Sequence, residues 1–519
     1  MGIGRTGSRR RTLFLVLVAL LFVAAVKTAA GDGGGVAGSE DGEGFLRLWT
    51  DGGGEGDDQE NFFKWDEEED DDEDDDDEDD DEEEGHIMMW GKKTGRRPPT
   101  CRNVVNVDSF GAAGDGDADD TEAFANAWKT ACSLESAVFL VPAGRRYKVG
   151  ASTFTGPCKN KMTIQIQGTI VAPEEPSEWD PRSPRLWLLF SGLAGARIQG
   201  GGVIDGSGSK WWANSCKINK SNPCKAAPTA VTLDSCRGVR VKGLRLQNAQ
   251  QMHLTVYRSR NVRLAGVRIE SPEDSPNTDG IHVAESSAVS IRNCRIGTGD
   301  DCISIVNASS NVRMTNIHCG PGHGISIGSL GKGGTYAAVE NVALDTAWIT
   351  RAQNGVRIKT WQGGAGYVRN VRFSNVAVDE VDHPIIIDQF YCDAAGGAAG
   401  CRNSSTSAVQ VSNVAYRNIS GTSRRAEAIK FACSDAVPCT GIVLADIDLR
   451  RSDGDGGGGE VETVCNCAVG FDYGCVRPAA DCLRSSTCGG APDGRRHDED
   501  KGKQAEARTT PAPIRHTEL

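Results

Sequence analysis

The sequence of 519 residues predicts an all-β protein, folded as a single-stranded right-handed parallel β-helix, which is a solenoid. Short runs in which apolar residues alternate with other residues recur about every 22 to 31 positions, separated by Gly, Asn and Asp. Repeats of this length that each hold several short strands are typical of a solenoid. Glycine is abundant, at 64 residues, and aromatic residues make up only 6%, which argues against a helical bundle or a coiled coil.

Residues 1–30 are predicted to be a cleaved signal peptide. Three arginines, Arg9 to Arg11, precede an apolar run from Leu13 to Val26, and small residues follow it. A single membrane anchor is the alternative, but this run is short for a helix that spans a bilayer. We therefore expect a secreted protein with no membrane attachment after cleavage.

Residues 31–100 are predicted to be a disordered acidic linker, and residues 491–519 a disordered tail. The linker contains an unbroken run of 19 acidic residues, Asp66 to Glu84, which cannot collapse and should stay solvated. A tether that binds cations or a basic partner is the alternative. The run accounts for the net charge of −14, because residues 85–519 alone carry +7. The folded body, predicted to be residues 101–490, lies within this part of the chain.

Cysteine usage agrees with secretion. All 18 cysteines lie at or after Cys101, so disulfides are the default expectation. Close pairs are Cys216/Cys224, Cys392/Cys401, Cys433/Cys439, Cys465/Cys467 and Cys482/Cys488. The Cys465/Cys467 pair lacks the second pair that a zinc site needs. Four sequons, at Asn219, Asn307, Asn403 and Asn418, could carry glycans.

Two series of repeats define the coils of the predicted β-helix. In the first, a valine follows Gly, Asn or Ala at Val239, Val262, Val289, Val312, Val342 and Val371. In the second, the strands Gly280–Val283, Cys302–Ile305 and Gly324–Ile327 begin 22 residues apart, and Gly355–Ile358 follows after 31. Equivalent positions on successive coils should stack about 4.8 Å apart.

Polar residues precede the strands of the second series. Asp279, Asp301 and His323 are each 22 residues apart and should form a column, with Asp300 beside it. On the next coil Arg357 and Lys359 are two residues apart and point the same way. Single Asp or His residues are common in turns, but stacked carboxylates repel each other, a cost that a turn has no need to bear. Two carboxyl groups of unlike pKa suit glycoside cleavage, and the two cations suit an anionic sugar.

These segments resemble the four signature motifs of the polygalacturonases, the pectin-cleaving members of glycoside hydrolase family 28. The motifs are Asn277–Gly280, Gly299–Cys302, Gly322–Gly324 and Arg357–Thr360, in the family's order and spacing. The resemblance covers roughly residues 101–490 and is strongest to the plant branch. The acidic run and the tail depart from the family pattern.

The resemblance implies a role for each residue. Asp300 would be the general acid, Asp279 and Asp301 would activate the attacking water, and His323 would keep the acid's protonation state suitable. Four residues would bind substrate: Arg357, Lys359, Tyr391 and Asn277. The family inverts the anomeric configuration, which agrees with the need for a water to fit between acid and base. No metal or cofactor is implied.

The resemblance implies a monomer in the extracellular space and cell wall, with a pectic polysaccharide, polygalacturonate, as its partner. Nucleic acid is a poor candidate, because the chain lacks basic clusters interleaved with aromatic residues. Three alternatives remain: a hydrolase of rhamnogalacturonan or xylogalacturonan, a calcium-dependent pectate lyase, and a non-catalytic wall-binding β-helix. Endo or exo action stays open.

We also predict a disulfide between Cys302 and Cys319. Cys302 follows the acid pair and Cys319 precedes the Gly322–Gly324 motif, so the bond would join two adjacent coils beside the column. Two buried free thiols are the alternative.

Overall fold

The computed structural model describes residues 103–159, 162–179, 184–392, 407–452, 459–485 and 488. The predicted signal peptide, linker and tail, together with Cys101, Cys401 and the sequon at Asn403, lie outside these residues. No helix among the described residues is long and apolar enough to cross a membrane.

Thirty-one strands and three α-helices make up the described chain. The first sixteen strands are β1 Asn103–Asn106, β2 Asp115–Asp119, β3 Ala137–Val141, β4 Arg146–Lys148, β5 Ser152–Thr155, β6 Thr163–Ile166, β7 Thr169–Val171, β8 Leu186–Ser191, β9 Arg197–Gln199, β10 Val203–Asp205, β11 Thr229–Asp234, β12 Arg240–Lys242, β13 Arg245–Gln247, β14 Leu254–Tyr257, β15 Arg260–Ala265 and β16 Arg268–Glu270. The others are β17 Ile281–Ala284, β18 Ser287–Arg292, β19 Arg295–Gly297, β20 Ile303–Ile305, β21 Ser309–Cys319, β22 Ile325–Leu330, β23 Tyr336–Thr350, β24 Asn354–Thr360, β25 Ala365–Val381, β26 His383–Asp388, β27 Gln410–Ser423, β28 Glu427–Ala432, β29 Cys439–Arg451, β30 Glu462–Asn466 and β31 Ala468–Arg477. The helices are α1 Thr121–Cys132, α2 Ser209–Ala213 and α3 Cys482–Ser485, and short 3-10 turns lie at Val107–Phe110, Pro176–Glu178 and Lys332–Gly334.

The strands form the predicted right-handed parallel β-helix. Eleven of them stack in parallel into one sheet, called here the site sheet: β5, β8, β11, β14, β17, β20, β22, β24, β26, β28 and β30. The other twenty form a second sheet, which begins as two parallel ladders of seven strands each, one from β1 to β18 and the other from β2 to β19, and continues as a single ladder of six strands from β21 to β31. Both ladders join at β21, which pairs with β18 and with β19. From β21 onward each coil therefore has two strands instead of three.

The register confirms both series of repeats. Val262, Val289, Val312, Val342 and Val371 are directly paired on successive coils and are almost fully buried. Each valine thus adds one layer to a continuous apolar core, which runs the length of the helix. The core explains why a chain with few aromatic residues can fold stably: each coil buries its aliphatic side chains against its neighbours.

Asparagine recurs before these valines because the turn there requires a left-handed backbone. Asn311, Asn341, Asn370 and Asn413 all have φ between 55° and 57°, a region that asparagine tolerates better than most residues. Their side-chain amides also hydrogen-bond from coil to coil, at 3.1, 3.2 and 3.4 Å. The stacked amides satisfy one another and fix the register of the coils.

The first coils are covered by α1. Its apolar face buries Phe124 and Trp128, whose rings pack edge-on against Phe139 at 5.9 and 5.7 Å. A disulfide between Cys132 and Cys158 ties the end of the helix to the coil that it covers.

The predicted Cys302–Cys319 disulfide is present. The close pairs Cys216/Cys224 and Cys433/Cys439 are also bonded, whereas the Cys392/Cys401 pair lies partly outside the described residues. Near the end of the β-helix, Cys465 on strand β30 bonds to Cys482 at the start of α3, and Cys467 bonds to Cys488, which follows α3 in sequence. These four cysteines therefore do not pair with their nearest neighbours in sequence. Cys236, Cys294 and Cys475 are free thiols.

Candidate active site

The candidate site lies on the turns that lead into β17, β20 and β22 of the site sheet. Ile281, Ile303 and Ile325 are directly paired across these strands. The residues two positions before them, Asp279, Asp301 and His323, therefore occupy equivalent places on three successive coils, as the sequence predicted.

Asp300 lies at the partly exposed edge of this column. Its Oδ2 accepts a hydrogen bond from Asn277 Nδ2 at 3.2 Å, and its Oδ1 lies 3.0 Å from His323 Nδ1. Oδ1 also accepts from the backbone N–H of Asp301 at 2.8 Å. These three contacts fix the Asp300 carboxyl group while leaving about 16% of the side chain exposed, and His323 beside it is 37% exposed. A bound molecule can therefore reach both groups.

Asp301 is buried and carries two cationic partners. Arg357 Nη2 donates to its Oδ1 at 2.6 Å, and Lys359 Nζ donates to its Oδ2 at 2.7 Å. Ser326 Oγ donates to Oδ1 as well, at 2.8 Å, and accepts from Arg357 Nε at 2.9 Å. The guanidinium and the ammonium compensate the desolvation of this fully buried carboxyl group.

Asp279 is held through a relay of two side chains. Ser304 Oγ donates to Asp279 Oδ2 at 2.8 Å, and His282 Nδ1 lies 2.7 Å from the same Ser304 oxygen. Burial lowers the pKa of His282 to about 4, so the ring is neutral near pH 7. When Asp279 is ionised, the single hydroxyl proton of Ser304 forms the hydrogen bond to Asp279. The Ser304 oxygen can then only accept from His282, so His282 carries its proton on Nδ1.

The pKa values of Asp279 and Asp300 are shifted in opposite directions. Burial, followed by the negative charges of Asp300 and Asp301, raises the pKa of Asp279 well above its ordinary value. Burial also raises the pKa of Asp300, but the hydrogen bond and charge of His323, with the charge of Lys359, outweigh it and bring the pKa below its ordinary value. Burial and like charge thus favour the protonated form of Asp279, whereas His323 and Lys359 favour the ionised form of Asp300.

The remaining predicted residue, Tyr391, joins the site through Lys359. The ammonium of Lys359 lies 5.2 Å from the centre of the Tyr391 ring, close enough for a cation–π contact. Trp361 packs edge-on against the same ring at 5.8 Å. All eight predicted residues thus lie in one cluster. Seven of them are linked by direct contacts, and Asp279 interacts electrostatically with Asp300, Asp301 and Lys359.

Sequence reasoning missed His282, Ser304 and Ser326. They are directly paired with one another and with Arg357 on successive strands of the site sheet. The signal was present: each is the middle residue of an apolar–x–apolar strand, in the position that Arg357 occupies on its own strand. A polar residue repeated at that position on four coils marks a polar row alongside the column.

The cluster includes a set of ligand types that could suit a metal ion. Ligand atoms of Asp300, Asp301 and His323 all lie within 4.8 Å of one another. Both Asp301 oxygens, however, already accept hydrogen bonds from Arg357 or Lys359. A cation placed there would have to compete with a guanidinium and an ammonium, so this donor set fits a metal poorly. That no metal takes part stays a prediction.

Known proteins resemble this chain in sequence over most of its length. It is 46% identical to a probable polygalacturonase of Arabidopsis thaliana over 390 residues, covering 75% of this chain and 86% of that protein. It is 48% identical to Polygalacturonase-2 of Solanum lycopersicum over 352 residues, covering 68% and 76% of the two chains.

Solved structures share the fold at lower identity. An exopolygalacturonase from Thermotoga maritima matches with a TM-score of 0.57 and 22% identity, over 69% of this chain and 89% of that one. An endo-xylogalacturonan hydrolase from Aspergillus tubingensis matches with a TM-score of 0.58 and 24% identity, over 68% and 94%. The sequence profile of the Glycosyl hydrolases family 28 matches residues 132–468. The chain therefore belongs to family 28 of the glycosyl hydrolases, on the branch of the plant polygalacturonases.

Proposed function

We propose that this glycoside hydrolase cleaves the α-1,4 galacturonosyl linkages of pectin, with inversion, outside the cell. The observation that carries the proposal is the Asp300 carboxyl group, held by Asn277 and His323 at the exposed edge of two buried carboxyl groups. An accessible proton donor beside carboxylates that can activate water is the arrangement that glycoside hydrolysis needs. The disulfides support secretion, because such bonds persist in oxidising compartments.

Asp300 must hold a proton when the glycosidic oxygen leaves. In the free site its pKa is lowered and that of Asp279 is raised. The two groups therefore share one proton, and substrate decides where it resides. A polygalacturonate chain brings negative charge next to Asp300, which is the more exposed of the pair, and this raises the pKa of Asp300. Substrate binding thus protonates the acid and leaves Asp279 ionised.

Asp279 and Asp301 then act on the attacking water. Asp301 forms ion pairs with Arg357 and Lys359, and Asp279 becomes a base once its proton has gone to Asp300. The water donates one proton to this pair as its oxygen attacks the anomeric carbon, while Asp300 gives its own proton to the leaving oxygen. Attack from the face opposite the leaving group inverts the configuration.

Arg357 and Lys359 serve two anions. Each donates one hydrogen bond to Asp301, but an ammonium has three donors and a guanidinium five. The remaining donors can hold the carboxylate of the sugar at the cleavage point, and Tyr391, which packs against Lys359, can contact the sugar ring. The pair would thereby select galacturonate over neutral sugars.

The test is to incubate the purified protein with polygalacturonate, to size the products and to follow the first-formed anomer by NMR. We expect saturated products of inverted configuration, oligomers for endo action and monomers for exo action. Unsaturated products would indicate a lyase. Release of products only from xylogalacturonan or rhamnogalacturonan would show that one of these polymers is the substrate. Binding without products would indicate a non-catalytic wall protein.

The role of Lys359 has its own test. Lys359→Met should weaken action on polygalacturonate far more than on its methyl ester, since only the acid form offers a carboxylate. An equal loss on both polymers would show that the ammonium serves Asp301 alone.

A further inference from the structure

A second groove lies outside the candidate site, on the outer face of the ladder that contains β16 and β19. It has a volume of about 360 Å³ and is lined by Glu270, Arg295, His318 and Trp348, among others. Strand β16 ends in this groove at Glu270, and the turn that follows it contains Asp279. Strand β19 ends there at Gly297, and the turn that follows it contains Asp300. The groove therefore flanks the site without sharing its residues.

The floor of the groove is an aromatic platform. Trp348 is 40% exposed although it is large and apolar, and its ring stacks on the His318 imidazole, with centroids 4.6 Å apart and planes 12° from parallel. The imidazole supports one face of the indole, and the platform is open to solvent. A flat, supported aromatic ring suits the C–H face of a sugar, which needs an apolar surface but no deep pocket.

A row of arginines continues the platform along the helix. Arg245, Arg268, Arg295, His318 and Trp348 occupy paired positions on five successive strands. The three arginines are exposed, and no ion pair joins any of them to a carboxylate among the described residues. Their backbones repeat about every 4.8 Å, so the row presents one cation per coil in a straight line. We call these five residues the arginine–tryptophan strip.

The strip differs in net charge from the larger groove near α2. That groove, of about 670 Å³, contains Lys210, whose ammonium is already paired with Glu174 and Glu175. Its other acidic residues leave it with a surplus of negative charge. A polyanion would be repelled there, whereas the strip offers unpaired cations and an open ring.

We propose that the arginine–tryptophan strip binds a second stretch of anionic pectic polysaccharide, with the guanidinium groups on the sugar carboxylates and Trp348 against a sugar ring. The proposal rests on the proposed function. A polymer held there stays close to the site, and this raises its effective concentration at the turns that carry Asp279 and Asp300. An oligomer too short to contact both places gains nothing.

The test compares long and short substrates. Trp348→Ala and Arg295→Ala should each raise KM for polygalacturonate about three- to tenfold, the scale of one lost aromatic contact or charge-assisted contact. Neither should change kcat/KM for trigalacturonate. Tyr473→Ala is the matched control, because Tyr473 is 42% exposed on the distant strand β31. Equal KM values for the polymer, or equal losses on polymer and trimer, would overturn the proposal.

A binding measurement keeps this test separate from the proposed function. Retardation of the intact protein in gels containing polygalacturonate or a neutral glucan does not depend on cleavage. The strip predicts that the acid polymer retards wild type and the Tyr473→Ala protein more than Trp348→Ala, and that the glucan retards all three alike. If wild type cleaves no pectic polymer but this difference is present, the proposed function fails and the strip stands. If cleavage is normal and retardation is the same for all, the strip is wrong.

Discussion

Acid should destabilise the β-helix through His282, whose neutral ring supports the site. Burial lowers the pKa of His282 to about 4 from an ordinary value of 6.5. The unfolded chain therefore binds the proton first as the pH falls, and stability that is present above pH 6.5 is lost progressively toward pH 4. The difference of about 2.5 pKa units corresponds to about 3 kcal/mol at full effect, of which about 2 kcal/mol falls between pH 7 and pH 5.

His282→Asn isolates this contribution. The side-chain amide of asparagine can place an N–H where His282 Nδ1 now lies, and it does not titrate, so Ser304 keeps its donor. His253 has a pKa lowered by burial to about 4 as well and contributes to the pH dependence of both proteins. The raised pKa of Asp279 acts in the opposite sense, because protonation of Asp279 adds stability as the pH falls.

The assay is urea unfolding of both proteins at pH 7 and pH 5, followed by tryptophan fluorescence. We expect wild type to lose about 2 kcal/mol more than His282→Asn over this interval. The same loss in both proteins would mean that His282 is not held neutral in the fold, and the relay to Asp279 would lose its basis.

Two further perturbations test the site and the scaffold. Ser304→Ala removes a hydrogen bond that lowers the pKa of Asp279. The acidic limb of the kcat–pH profile should therefore move to higher pH, with up to about tenfold loss of rate at acid pH. A uniform loss at all pH values would contradict this role. Replacing Cys302 and Cys319 together by Ala removes a disulfide whose cysteines are 17 residues apart. In a denaturant titration this should lower the free energy of unfolding by about 3 kcal/mol. An unchanged midpoint would show that packing alone holds these coils together.

The architecture could be predicted from sequence because a solenoid repeats. Each coil places its valine and its asparagine at fixed positions, so regular spacing alone gives the register of residues such as Val289 and Val312. Regular spacing also placed Asp279, Asp301 and His323 on adjacent coils. The merging of the two ladders at β21 was not predicted, because the spacing between valines does not report whether the two strands of a coil are continuous.

The contacts within the site were harder to foresee. Arg357 and Lys359 were expected to face a sugar, and the structure shows both donating to the buried Asp301. Their partner depends on side-chain length and direction across two coils, which spacing does not report. The opposite pKa shifts of Asp279 and Asp300 likewise come from burial and from the contact between His323 and Asp300, and a motif by itself reports neither burial nor contacts.

The central claim is that Asp300 gives its proton to the leaving oxygen, and one substitution tests it most directly. Asp300→Asn keeps the shape and an acceptor for Asn277 but cannot donate the proton, so kcat on polygalacturonate should fall at least about a hundredfold while the polymer still binds. Asp448→Asn, at an exposed aspartate on β29 paired with Arg450, is the matched control and should retain full activity. If Asp300→Asn keeps more than about a tenth of the wild-type rate, Asp300 is not the acid.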